Sequence, residues 1–193
     1  SNPEISFLII SYNIAGYSGG GIFSHWYSNL ILSNIVITNN TAPRGGGIYG
    51  YLNTYTILVN SILGNNYPDE IHFTDEALGL NYINLFYSNV QSSDTDITTN
   101  NNGKVYWFED NIDENPLFSN SENSDYTLQT GSPCIDVGTA FFAYEGDTLI
   151  NMNPEEYCGS APDMGAYEYI TEDCIGCTDE TACNYDETVM QDN

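Results

Sequence analysis

The sequence predicts an all-β fold, a parallel β-helix, and three observations lead there. A block of sequence returns at a fixed step: Gly19-Gly20-Gly21-Ile22-Phe23 recurs as Gly45-Gly46-Gly47-Ile48-Tyr49, 26 residues later. Between the glycine blocks lie short β-branched runs bounded by Asn and Gly, too brief for helices and suited to strands. No helical segment separates them, so units this small can bury their apolar faces only by stacking on one another, which makes a solenoid.

The repeat runs through the first third of the chain. Ile10, Val36 and Ile62 follow one another at 26, as do Asn13, Asn39 and Asn65, while Leu32 pairs with Leu58, Asn34 with Asn60 and Asn40 with Asn66. Strands are expected at Ile35-Val36-Ile37-Thr38 and Thr56-Ile57-Leu58-Val59. Parallel stacking at about 4.8 Å per coil would place Ile10, Val36 and Ile62 in one interior column and the Asn13 series in a ladder at a turn. Asparagine suits that turn because it tolerates left-handed backbone and its amide bonds a copy above and below. The glycine triplets mark a corner where a side chain would collide.

Beyond Asn66 the step loosens. An apolar element arrives early at Ile71-His72-Phe73, and a strand over residues 84–90 lies about 28 residues beyond its predecessor. Residues 92–103, rich in Ser, Thr, Asp and Asn, read as a loop on a constant core.

Charge divides the chain. Of 27 acidic and two basic residues, residues 1–108 hold seven acids with both bases, Arg44 and Lys104, a net of −5; the other 20 acids follow with no Lys or Arg. A net charge of −25 repels phosphate backbones and anionic lipid, which argues against nucleic acid as a partner. No run of some eighteen apolar residues is present, so direct membrane insertion is not expected. The chain starts inside patterned sequence, which predicts further coils and an export signal upstream. All five cysteines, Cys134, Cys158, Cys174, Cys177 and Cys183, fall in the last 60 residues, the pattern of disulfides stapling loop-rich structure outside the cell.

The Gly-Gly-Gly-Ile signature alternating with Asn-ended strands resembles the right-handed parallel β-helix proteins of the pectin-lyase-like superfamily, and more loosely the polymorphic outer-membrane-protein repeats of bacterial surfaces. Asn115-Pro116-Leu117-Phe118, Asp125-Tyr126-Thr127-Leu128, Gly131-Ser132-Pro133-Cys134-Ile135-Asp136 and Asp163-Met164-Gly165-Ala166-Tyr167-Glu168 resemble, in that order, the ending of many secreted bacterial β-helix proteins. The resemblance spans roughly residues 5–169. Cys177-Thr178-Asp179-Glu180-Thr181-Ala182-Cys183-Asn184-Tyr185-Asp186 is similar to a short C-terminal cysteine repeat of large surface proteins of marine and gliding bacteria, here incomplete. The implied organisation is coils over 1–118, a loop-rich, disulfide-containing cap over 119–170 and an acidic appendage over 171–193. Within it the expected bridges are Cys134 with Cys158 and Cys177 with Cys183, leaving Cys174 for a partner elsewhere. The Cys174-x-x-Cys177 spacing lacks a second pair or a nearby His, so disulfides are preferred over zinc.

Four groups of residues are candidates for chemistry. Asp179, Glu180, Asp186 and Asp192 present closely spaced hard oxygen ligands and suggest calcium, although a solvated acidic tail would look the same. His25, Trp26, Tyr27, Tyr49, Tyr51 and Tyr55 lie at or near the corner after each glycine triplet, where rings can stack on sugars; packing between coils is the alternative. A polysaccharide lyase needs Lys or Arg at the substrate, and Arg44 and Lys104 lie more than a coil apart. A hydrolase needs paired carboxylates, and Asp69 with Asp75 is the pair worth naming. The superfamily resemblance does not decide activity. The preferred reading is therefore a non-enzymatic extracellular or cell-surface structural or adhesion module contacting glycans or other surface proteins. A carbohydrate-active enzyme fragment and a self-associating filament subunit remain alternatives.

Overall fold

The structure, a computed structural model, describes residues 3–76, 79–91, 96–108, 110–171, 174–176 and 191–192. It is a parallel β-solenoid of about four turns, as the repeat predicts. Its coils are built from β1 (Glu4–Ser11), β2 (Ile22–His25), β3 (Asn29–Thr38), β4 (Ile48–Tyr51), β5 (Tyr55–Val59), β6 (Ile62–Gly64), β7 (Ile71–Phe73), β8 (Asn81–Phe86), β9 (Asn89–Val90), β10 (Ile97–Thr98) and β11 (Gly103–Trp107).

Left-handed residues fold each coil into three faces. Phe7, Asn34, Asn60 and Tyr87, with φ of 51°, 51°, 49° and 45°, occupy one corner of successive coils. They divide a first face (the front of β1 and β3, then β5, β8 and β11) from a second (the back of β1 and β3, then β6 and β9). The third face is β2, β4, β7 and β10. Every ladder among these strands is parallel.

The register departs from a constant step. Ile9, Val36 and Ile62 share one column and Ile10, Ile37 and Leu63 the next, because the first coil is 27 residues long rather than 26. The expected interior column of Ile10, Val36 and Ile62 is therefore wrong in two ways. Ile10 is not aligned with Val36, and strand alternation turns Val36 and Ile62 outward. The interior is filled instead by Leu32, Ile35, Ile37, Ile48, Leu58, Leu63, Ile71, Phe73, Ile83, Leu85 and Val90. A strand also lies within the expected loop of residues 92–103: Ile97 sits in register with Ile71 and packs against the same core.

The asparagine series divides its two roles between neighbours. Asn39 and Asn65 take the left-handed backbone, with φ of 56° and 60°, and Tyr12 holds that place in the first coil at 54°. The following residues make the ladder: Asn13 Nδ2 donates to Asn40 Oδ1 at 2.9 Å, and Asn40 Nδ2 to Asn66 Oδ1 at 2.9 Å. Each side-chain carbonyl also accepts the backbone N–H of the coil before it, at 3.0 and 2.9 Å. The ladder ends on Glu70, whose carboxylate accepts the Asn66 backbone N–H at 2.9 Å and the Asn66 amide. The other corners carry shorter versions, with Ser61 N donating to Ser88 Oγ at 3.1 Å and Thr54 N to Asn81 Oδ1 at 3.1 Å. Buried backbone donors are thereby satisfied at the corners, where the strand ladders are interrupted.

The C-terminal half lies along the outside of the coils. Antiparallel β12 (Phe118–Asn120) and β13 (Asp125–Leu128), with the loops up to Tyr169, bury Tyr126, Leu128, Cys134 and Met164 on the outward Val36 and Ile62 of the second face. The hairpin of β14 (Phe141–Tyr144) and β15 (Asp147–Asn151) buries Ile150, Phe142 and Leu149 on the outward Ile57, Val59 and Phe86 of the first. Asn60 fastens the two together: its side chain both donates to and accepts from Thr139, and its carbonyl accepts Gly165 N–H. Two short strands, β16 (Ile175–Gly176) and β17 (Gln191–Asp192), pair in parallel further on.

The cysteine expectation is corrected. Cys158 bridges to Cys174, with Cα atoms 5.9 Å apart, and Cys134 is a free thiol. Cys134 is fully buried beneath the C-terminal segment, where it accepts a hydrogen bond from Asn89 Nδ2 at 3.1 Å, and burial pushes its thiol up to about 11. It is a packing residue, whereas Cys158 and Cys174 sit together in the loops. Cys177 and Cys183 lie outside the described residues.

Candidate functional site

The third face and its corner carry five of the six aromatic residues that the sequence singled out. Its inward positions are Ile22, Ile48 and Ile71; its outward positions, two residues apart on each strand, are Phe23 and His25 on β2, Tyr49 and Tyr51 on β4, and His72 on β7. Because parallel coils superimpose equivalent positions, these rings form ladders. Phe23 stacks on Tyr49 at 5.4 Å between centroids, Tyr49 on His72 at 5.4 Å, and His25 on Tyr51 at 5.0 Å. Trp26 continues the strip with its ring 5.5 Å from His25.

The strip has a buried floor and an open edge. Tyr49 is 3% exposed, whereas Phe23, Trp26 and Tyr27 are 49%, 62% and 70% exposed. Trp26 and Tyr27 hold left-handed backbone, with φ of 50° and 54°, which projects both rings at the corner. Their backbone N–H groups are nonetheless fixed to the next coil, donating to Tyr51 and Leu52 carbonyls. A hollow of about 130 Å³ lies between Tyr17, Phe23, Arg44, Tyr49, Tyr51 and Glu76. At its rim Arg44 sits 5.0 Å from the centre of the Tyr17 ring and 3.7 Å from Asp75. Tyr51 donates its phenol proton to Glu76 at 2.7 Å, and that bond holds the phenol above its ordinary range.

Five of the six expected aromatic residues, His25, Trp26, Tyr27, Tyr49 and Tyr51, thus come together. Tyr55 does not: it lies on the first face, where its hydroxyl is 2.8 Å from that of Tyr144. Tyr17 and Phe23 stand outside the expected aromatic group, and Arg44 was expected only within the lyase alternative. The signal for Phe23 was present, since it matches Tyr49 across the repeat; Tyr17 and Arg44 lie on irregular backbone with no period to find them.

The remaining candidates are placed as follows. Asp69 is 4% exposed, with Oδ1 accepting Gly45 N–H at 2.6 Å and Oδ2 2.7 Å from His72 Nδ1. Asp75 is largely solvent-exposed beside Arg44. The two carboxylates therefore have unlike surroundings, one bound into a corner and the other paired at the surface. Asp179, Glu180 and Asp186 lie outside the described residues, as does the side chain of Asp192. Among the described residues no group of three or more His, Cys, Asp or Glu side chains is placed to hold a metal ion, and no helix is long and apolar enough to cross a membrane.

Residues 34–51 match the model of the Chlamydia polymorphic membrane protein repeat. Those residues run from the left-handed corner at Asn34, through Asn40 and the Gly45–Gly47 turn, to the end of β4, so they carry the corner chemistry of one coil. No curated protein and no solved structure matches the chain.

Proposed function

We propose that the chain is an extracellular or cell-surface structural module that adheres to a glycan through the aromatic strip of its third face. The observation that carries this reading is the contrast between faces. Outward Val36, Ile62, Ile57, Val59 and Phe86 of the first and second faces are buried by the chain's own C-terminal half, while Phe23, Trp26 and Tyr27 stand exposed on stacked coils. Large exposed aromatic surface on an ordered scaffold is costly unless something covers it in use. Rings of this kind offer flat apolar platforms for sugar faces. The match to a repeat named for polymorphic membrane proteins supports a cell-surface setting. The net charge of −25 favours an uncharged partner over an acidic one.

A glycan array probed with the full chain tests the reading. Binding to neutral glycans is expected, and Trp26→Ala combined with Tyr27→Ala should reduce it by about tenfold or more without shifting the unfolding midpoint. Absence of any glycan signal, or equal binding by the double variant, would sink the proposal.

A further inference from the structure

A second aromatic site lies on the first face, where the β14–β15 hairpin stops short of covering the coils. A cleft of about 450 Å³ opens there, lined by Tyr55, Tyr82, Asn84, Tyr106, Phe108 and Tyr144. That volume falls in the range of small-molecule sites. Tyr82 and Tyr106 stand nearly parallel, 15° apart, and the Tyr106 and Phe108 rings, each residue 41% exposed, extend the wall.

The polar atoms at its floor leave two hydrogen-bonding capacities unused. Asn84 Nδ2 donates to both Tyr55 Oη and Tyr144 Oη, and those hydroxyls lie 2.8 Å apart, so one donates to the other. The second phenol proton then has no partner within the triad. Asn84 is 3% exposed, and its Oδ1 accepts no hydrogen bond. As placed, the triad makes three hydrogen bonds; turned over, the carbonyl would accept from the phenols but the two phenol protons could make only two, with the amide nitrogen stranded, so the orientation with an orphan carbonyl satisfies more of the network. A buried acceptor without a donor has given up its hydration and gained nothing in exchange. An apolar ligand would leave that cost in place, and a ligand carrying hydroxyl groups would remove it.

We propose that this cleft binds a neutral sugar ring, stacked on Tyr82 and Tyr106, with ring hydroxyls donating to Asn84 Oδ1 and accepting the free phenol proton of the Tyr55–Tyr144 pair. None of the six lining residues is charged. Lys104 follows Tyr82 in register one coil on, at the rim, so a uronate is the competitor to test. Burial, and after it the Tyr144 bond, raise the Tyr55 phenol above its ordinary range. The site is separate from the strip on the third face and does not depend on it.

Titrating the isotopically labelled full chain with cellobiose, maltose, lactose and glucuronic acid, followed by amide chemical shifts, tests the assignment. At least one neutral disaccharide should move the signals of Tyr82, Asn84 and Tyr106. Tyr106→Ala, at an exposed ring, should weaken that binding by about tenfold or more. Trp26→Ala with Tyr27→Ala should leave it unchanged, so failure of the strip and failure of the cleft read out separately. The proposal is overturned if no neutral disaccharide perturbs the cleft up to about 50 mM, a concentration that would detect even millimolar affinity. Preferential binding of glucuronic acid, or binding indifferent to Tyr106→Ala, would overturn it equally.

Discussion

At the residue scale, the corners of the solenoid depend on pairs of neighbours with different duties. Asn39 and Asn65 supply a left-handed turn, while Asn40 and Asn66 supply buried amides that bond the coils above and below. Asn40→Ala removes an acceptor shared by two donors of the first coil and should destabilise the fold by about 1–3 kcal/mol. Asn39→Gly should cost only a few tenths, because glycine adopts the same backbone. Urea unfolding of the two variants separates these roles. A second prediction follows from the buried carboxylates. Glu70 is pushed up to about 7, Glu168 to about 7 and Asp163 to about 6, in each case mainly by burial, with neighbouring carboxylates adding to it. Their unfolded values are near 4.5, 4.5 and 3.8, so between those values and 6 to 7 the folded state binds more protons than the unfolded. Stability should therefore be fullest below about pH 4 with respect to these groups and fall as pH rises to about 7. Thermal unfolding across that window should show the decline, and Glu70→Gln, which cannot titrate, should make it shallower.

At the element scale, the glycine corner is set by close approach as well as by backbone angle. A Cβ at Gly46 would fall on the Tyr67 backbone of the next coil, and one at Gly47 on the Glu70 carbonyl. Gly16 has open space around it and no left-handed angle. Gly46→Ala should thus cost about 1–3 kcal/mol by overpacking and Gly16→Ala almost nothing, a difference visible in unfolding midpoints. The corner was legible in the sequence because the triplet repeats. Its exact register was not: one residue of extra length in the first coil shifts Ile10 off Val36, and nothing in the local sequence between Ile14 and Gly20 marks the insertion. The alternation of Ile35-Val36-Ile37 was misread for a physical reason. Both sides of that strand are buried, so it shows a continuous apolar run rather than a period of two. The run itself was the signal that something covers the outside. Likewise Ile97 was hidden inside a polar stretch, where two strand residues are too few to show a pattern.

At the scale of the whole molecule, a nearly neutral solenoid is wrapped on two faces by an acidic segment that carries the cysteines. Residues 5–169 could be recognised by resemblance as coils and an ending, but the route of the ending over the coils rests on contacts far apart in sequence, such as Asn60 with Thr139, which no spacing reveals. The Cys158–Cys174 bridge closes a loop of 16 residues in that segment. Its removal in Cys158→Ser should cost about 3 kcal/mol on chain-entropy grounds. The loss should appear first as faster hydrogen exchange in residues 119–171, with the interior strands still protected. The aromatic strip was half legible, because Tyr49 and Tyr51 repeat the places of Phe23 and His25, while the cleft at Asn84 was illegible, being assembled from three coils and a hairpin.

The central claim is that the chain's own C-terminal half covers much of two outer faces of the solenoid and leaves an aromatic strip exposed on the third. Hydroxyl-radical footprinting of the free chain reads this directly. Rapid oxidation of Phe23, Trp26 and Tyr27 is expected, with Tyr126, Leu128, Ile57 and Phe86 modified slowly. Slow modification of Trp26 and Tyr27, or rapid modification of Ile57 and Tyr126, would contradict the account.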